Sequence, residues 1–144
     1  PDQRWPVRTV PVCINTVQFP LPSAARCYKL GEAIGRAVEA WPSDTKVLVL
    51  GTGGLSHQLD GERAGHINKD FDLRFMDSLI GDDPKWATQF SINELVRQAG
   101  TQGIELLMWL AARGALTGKV RELHRNYHIP ISNTAAGLML LENR

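Results

Sequence analysis

Cysteine is scarce in this 144-residue chain: Cys13 and Cys27 are the only two, both in apolar surroundings, with no CxxC spacing between them. That excludes a disulfide scaffold and a cysteine metal site, and predicts two buried, reduced thiols in a cytoplasmic protein. Long hydrophobic runs are missing too, because charge interrupts every apolar stretch before the roughly 18 to 20 residues that a membrane span needs. No segment has the order of a signal peptide. Nor does one sign of charge dominate: 16 Lys and Arg stand against 15 Asp and Glu, for a formal charge of +1. This gives no electrostatic case for nucleic acid or an acidic membrane as partner. Internal repeats, low-complexity segments and long linkers are absent. What is present, 43% hydrophobic and 22% charged residues, is the composition of one α/β or α+β domain with a core, suited to small-molecule chemistry or protein contacts. The chain opens on Pro1 and runs through Trp5 and Pro6 directly into a strand-like segment, like the middle of a gene product.

That segment, Thr9 to Val17, is β-branched and apolar and reads as a strand, with Pro11 at a tolerant edge position. Ser23 is a good N-cap, and Ala24, Ala25, Cys27, Leu30, Ile34, Ala37 and Val38 follow at helical spacing up to Trp41-Pro42. Lys46 to Leu50 is a short apolar run ended by Gly51-Thr52-Gly53-Gly54, the form of a buried parallel strand opening into a loop. Strand, helix and strand in that order make a βαβ unit. Leu55 to Asp70 lacks a clean period and reads as a long functional loop. Helices are then expected from Phe71 to Ile80, from Asp82-Asp83-Pro84 onward, and from Ser91, whose spacing to Glu94 is a capping box, through Gln98. Another is expected from Ile104 to Gly114, and a further one through Val120, Leu123 and Tyr127. Ile129 to Leu141 closes the chain as a loop and an apolar strand.

In an open α/β sheet, ligands bind beyond the carboxyl ends of strands, which directs attention to Gly51–His57. GTGG lacks both the third spaced glycine of a dinucleotide fingerprint and the Lys-Ser/Thr of a phosphate loop. Ser56 is no nucleophile elbow, since Gln58 stands where glycine is required. His57 can give and take a proton at cellular pH, or it can simply hydrogen-bond backbone as a loop histidine. His66 reads as a solvated loop residue, and His124 and His128 as structural residues near a helix end. Glu105 interrupts an apolar helical run, so it must be exposed, paired or bound to a metal.

The segment GTGGLSHQLDGERAGHINKDFD, Gly51 to Asp72, closely resembles the catalytic β subunits of protocatechuate 4,5-dioxygenases, which are class III extradiol ring-cleaving enzymes. The likeness extends through Val12–Arg26, Gly103–Leu110, Arg113–Leu116 and Tyr127–Ala135. It implies a three-layer α/β/α sandwich with a mixed sheet, and a non-haem Fe(II) held by two histidines and one glutamate. Such a triad leaves open positions for both catecholate oxygens and O₂. On that pattern Glu105 is the carboxylate ligand and His57 the acid/base residue beside the metal. Ser132 and Asn133 contact the substrate's carboxylate or hydroxyl, or else form only a turn before the last strand. None of His66, His124 or His128 matches the two histidine ligands, which belong to an amino-terminal half of such subunits. Residues 1–144 therefore read as the carboxy-terminal half of a catalytic domain, without a complete iron site of its own. The implied reaction is meta cleavage of protocatechuate by O₂ to 4-carboxy-2-hydroxymuconate semialdehyde, with a small α subunit covering the site in an α2β2 assembly. Gallate cleavage is the neighbouring alternative within the class. A non-catalytic fragment or paralogue without iron, and a nucleotide-binding module using GTGG, are the alternatives outside it.

Overall fold

Ser23 opens the first helix as its hydroxyl predicts: it caps helix α1 (Ala24–Glu39) by accepting from the Arg26 N–H at 3.3 Å. The computed structural model describes residues 6–144, so the expected passage from Pro1 to Trp5 into a strand lies outside the described residues. The buried stripe of α1 is Ala24, Cys27, Tyr28, Gly31 and Gly35. Leu30 and Ala37, expected inside, face outward. Glycines take the inner positions because α1 lies backbone to backbone on helix α4 (Leu106–Gly114): a Cβ at Gly31 or Gly35 would overlap the carbonyl of Ala111 or Ala115.

Helix α2 (Lys69–Ile80) starts at Asn68, whose side chain accepts from the Phe71 N–H at 3.2 Å. It buries Phe71, Asp72, Phe75, Met76 and Leu79. The helix expected after Asp82-Asp83-Pro84 is a single 3₁₀ turn, Trp86–Gln89. Helix α3 (Ile92–Ala99) has the capping box that its sequence predicts, Ser91 and Glu94 each accepting from the other's N–H. A 3₁₀ turn at Gly103–Glu105 then feeds α4. Phe75, Met76, Leu95, Leu106, Leu107 and Leu110 form the fully buried centre between these helices, each contributing about 2 kcal/mol by its removal from water. At the far end of α4, Arg113 is buried and donates to the carbonyls of Leu79 (2.6 Å), Leu116 (3.2 Å) and Gly118 (3.3 Å).

Several sequence expectations are corrected. Thr9–Val17 and Lys46–Leu50 are not strands, and no βαβ unit forms among the described residues. A strand needs a hydrogen-bonded neighbour; neither segment has one, and Leu48 and Leu50 stay 71% and 74% exposed. The expected helix through Val120, Leu123 and Tyr127 is strand β1 (Val120–His128), antiparallel to β2 (Ala136–Asn143). A β-bulge between Glu122 and His124 is the reason. It inserts an odd step into the two-residue period, so Val120 and Tyr127, seven apart, both face inward as they would after two helical turns, while Leu123, the third residue of the expected helix, faces outward. His124 and His128 accordingly sit on a strand and not near a helix end. Of the two thiols, Cys27 is buried and Cys13 is exposed. The described architecture is thus α/β: four helices, two 3₁₀ turns and one two-stranded sheet. No helix among the described residues is long and apolar enough to cross a membrane.

Candidate active site

The glycine turn lies across the start of α4 and is gripped there at two points. Trp109 Nε1 donates to the Gly53 carbonyl at 3.1 Å, and the Gly54 N–H donates to Glu105 Oε2 at 2.9 Å. Gly53 has φ +108°, and a Cβ there would stand 2.6 Å from the Glu105 Cβ and 2.9 Å from its Oε2. Only glycine lets the backbone turn this close to the carboxylate. Glu105 is half-buried at the junction between the 3₁₀ turn and α4, so one carboxylate oxygen holds Gly54 while the side chain keeps access to solvent.

On the other side of Gly54 stands His57. A Cβ at Gly54 would lie 3.2 Å from His57 Cε1 and 2.9 Å from Thr134 Cγ2, which puts the imidazole and the Thr134 methyl against the same residue that Glu105 holds. His57 is buried, and its Nδ1 is 2.9 Å from the Leu55 carbonyl. A carbonyl oxygen can only accept, so in the neutral ring Nδ1 carries the proton and Nε2 is left with its lone pair, the form that can take a proton from a hydroxyl.

The backbone around His57 is closed by hydrogen bonds. Leu55 N–H donates to the Ala135 carbonyl (2.9 Å) and Ala135 N–H to the Ser56 carbonyl (3.1 Å). His57 N–H donates to the Ala99 carbonyl (2.7 Å), and Gly103 N–H to the His57 carbonyl (3.2 Å). The Ser56 N–H and hydroxyl both donate to the buried carboxylate of Asp72, at 2.9 and 2.6 Å. Tyr127 OH adds a third bond to Asp72, at 2.8 Å, and the Asn68 N–H donates to Ser56 Oγ at 2.7 Å. Burial pushes the Asp72 carboxyl above the usual carboxylate range, against the pull of these donors. Burial, and then the bond to Asp72, push the Tyr127 phenol upward as well.

Of the predicted site residues, His57 and Glu105 are brought together around Gly54. Ser132 and Asn133 lie in the β1–β2 connection, immediately before Thr134, which forms an isolated antiparallel bridge with His57. Asn133 adopts φ +56°, and its amide approaches the Gly65 backbone of the loop beyond His57. His66 bonds the Gln98 carbonyl at 3.0 Å, and His124 and His128 are exposed on β1. No group of three His, Cys, Asp or Glu that could hold a metal forms among the described residues. No second or third ligand joins Glu105 among the described residues, so as a set they do not fit a complete iron triad. Asp72, Ser56, Tyr127 and Trp109 escaped the sequence reading. Asp72 has apolar neighbours in Phe71 and Leu73, but Asp70 and Arg74 two residues away give it the look of a solvated face.

A family model described as the catalytic LigB subunit of aromatic ring-opening dioxygenase matches residues 3–138, and the chain belongs to that family. Gallate dioxygenase of Pseudomonas putida is 43% identical over 143 residues, covering 99% of this chain and 42% of that protein. The 2,3-dihydroxyphenylpropionate/2,3-dihydroxicinnamic acid 1,2-dioxygenases of Xanthobacter autotrophicus and Azotobacter vinelandii are each 31% identical, covering 93% of this chain and 56% of each relative. The chain spans about half the length of the curated relatives it matches.

Proposed function

We propose that the protein to which this chain belongs opens the ring of a catecholic acid with O₂ beside its hydroxyls, and that its substrate is gallate in preference to protocatechuate. The juxtaposition of His57 and Glu105 about Gly54 carries the reading of the site. The 43% identity to a gallate dioxygenase supports the substrate, reversing the order that the sequence resemblance alone implied. In this reading the chain is the carboxy-terminal half of a three-layer catalytic domain. Fe(II), when bound, supplies the electron path between ring and O₂; its two histidine ligands lie outside the described residues, so this chain's own contribution is protonic and positional. His57 Nε2 accepts the proton of a ring hydroxyl and returns it as the ring opens, a role worth about 10²-fold or more in rate. Ser132 and Asn133, which precede the Thr134 bridge to His57 in the chain, contact the ring carboxylate or a hydroxyl in this reading. A small covering element, fused to the catalytic chain in the gallate reading or a separate α subunit of an α2β2 assembly in the protocatechuate one, and a cytoplasmic location complete the proposal.

Oxygen uptake tests it. The protein as its gene encodes it, given ferrous iron anaerobically, is expected to consume O₂ with gallate at a higher kcat/KM than with protocatechuate. The variant His57→Ala is expected to lose about 10²-fold or more in kcat. A preference for protocatechuate overturns the substrate reading, an unaffected His57→Ala overturns the acid/base role, and no uptake with either acid overturns the activity.

A further inference from the structure

Among the described residues Asp72 is the one buried carboxylate, fully enclosed, and the proton chemistry assigned to His57 does not use it. Taking a carboxylate out of water costs several kcal/mol that an apolar residue of similar size would not incur. Its three donors are specific: two come from Ser56, the residue before His57, and one from Tyr127 on β1. Of the six backbone polar groups of Leu55, Ser56 and His57, four pair with backbone and one with the His57 ring itself. The sixth, the Ser56 N–H, depends on Asp72 alone.

We infer that Asp72 is a positioning residue for His57. It clamps the Ser56 peptide so that the Leu55 carbonyl stays aimed at His57 Nδ1, and through Tyr127 it ties the hairpin bearing Ser132, Asn133 and Thr134 to the same point. The carboxylate touches neither substrate nor reacting atoms. It acts by fixing which imidazole nitrogen carries the proton. Without an acceptor at position 72 the Ser56 N–H is buried and unpaired, the segment shifts to find water, and the Leu55–His57 bond is the first to loosen.

This inference rests on the acid/base reading of His57 for its catalytic consequence, but its structural part is read without turnover. In the protein as its gene encodes it, ¹⁵N-detected spectra of His57 are expected to show the Nδ1–H tautomer in the wild type and in Asp72→Asn, whose amide oxygen still accepts from Ser56 N–H. Asp72→Ala is expected to shift toward the Nε2–H form. Gallate turnover is expected to fall about tenfold or more in kcat in Asp72→Ala, with KM changed less than about threefold, and to be restored by Asp72→Asn. A folded Asp72→Ala that keeps the wild-type tautomer overturns the inference, as does an Asp72→Asn that behaves like it. Should Asp72→Ala fail to fold, wild-type hydrogen exchange decides: a Ser56 amide among the slowest in the chain supports the clamp, and one exchanging like an exposed loop refutes it. A tautomer response without any turnover in the wild type would overturn the dioxygenase reading and leave the clamp standing.

Discussion

Gly100→Ala puts the enclosure of His57 to a quantitative test. Gly100 ends α3 at φ +89°, ψ +167°, a region that only glycine visits readily, so a methyl group there costs about 1–3 kcal/mol in backbone strain. The same methyl would overlap the His57 carbonyl oxygen and stand 2.7 Å from its carbon. Relief requires the His57 carbonyl to leave the Gly103 N–H, losing about 1 kcal/mol more. The expected total is about 2–4 kcal/mol. Gly118 is the control, at φ +72° with nothing within 4 Å of its Cβ position, where alanine should cost about 1 kcal/mol from conformation alone. Urea denaturation of both variants measures the difference. If Gly100→Ala costs no more than Gly118→Ala, the close approach of the α3 end to His57 is wrong, and with it the closed hydrogen-bond frame around the imidazole.

A raised Asp72 carboxyl gives stability a definite pH sign. The folded state holds that proton more tightly than the unfolded chain, so the contribution is fully present below the unfolded value of 3.8 and is lost as pH rises through the folded value. The stability of the wild type relative to Asp72→Asn should therefore be greatest near the unfolded value and shrink as pH rises; a difference that grows with pH in denaturation curves contradicts this. Val10, Val17, Leu48 and Leu50 are 87%, 88%, 71% and 74% exposed, so residues 1–144 expressed alone are expected to self-associate through these segments. A single monomeric species in sedimentation velocity refutes that.

The helices were legible because each is specified locally: Ser23 and the Ser91–Glu94 pair announce their starts, and the apolar spacing of Phe71–Ile80 and Ile104–Gly114 gives the rest. Strand expectations failed where the information was not local. Lys46–Leu50 has the composition of a buried strand, yet a strand exists only with a neighbour, which the described residues do not provide. β1 was hidden because its bulge sets Val120 and Tyr127 seven apart on one face, as on two helical turns, and because Leu123 is apolar although it faces solvent. At the site, Glu105 was visible as a charge among leucines and His57 as a histidine after a glycine turn, whereas Asp72 was masked by the charged residues Asp70 and Arg74 on either side. Trp109 and Thr134 had none, because their roles depend on contacts 56 and 77 positions away in the chain.

Arg113 closes the corner where α2, α4 and the lead into β1 converge, and it does so without a counter-ion. No carboxylate among the described residues bridges to it; its three partners are carbonyl oxygens set in different directions. Neutralisation by peptide dipoles leaves no acid to protonate at low pH and no exposed ion pair for salt to screen. The joint held by Arg113 therefore responds less to pH and salt than the exposed ion pairs Arg125–Asp77 and Arg121–Glu142 nearby on the same elements. A lysine ammonium, a point charge, could not span all three carbonyls at once.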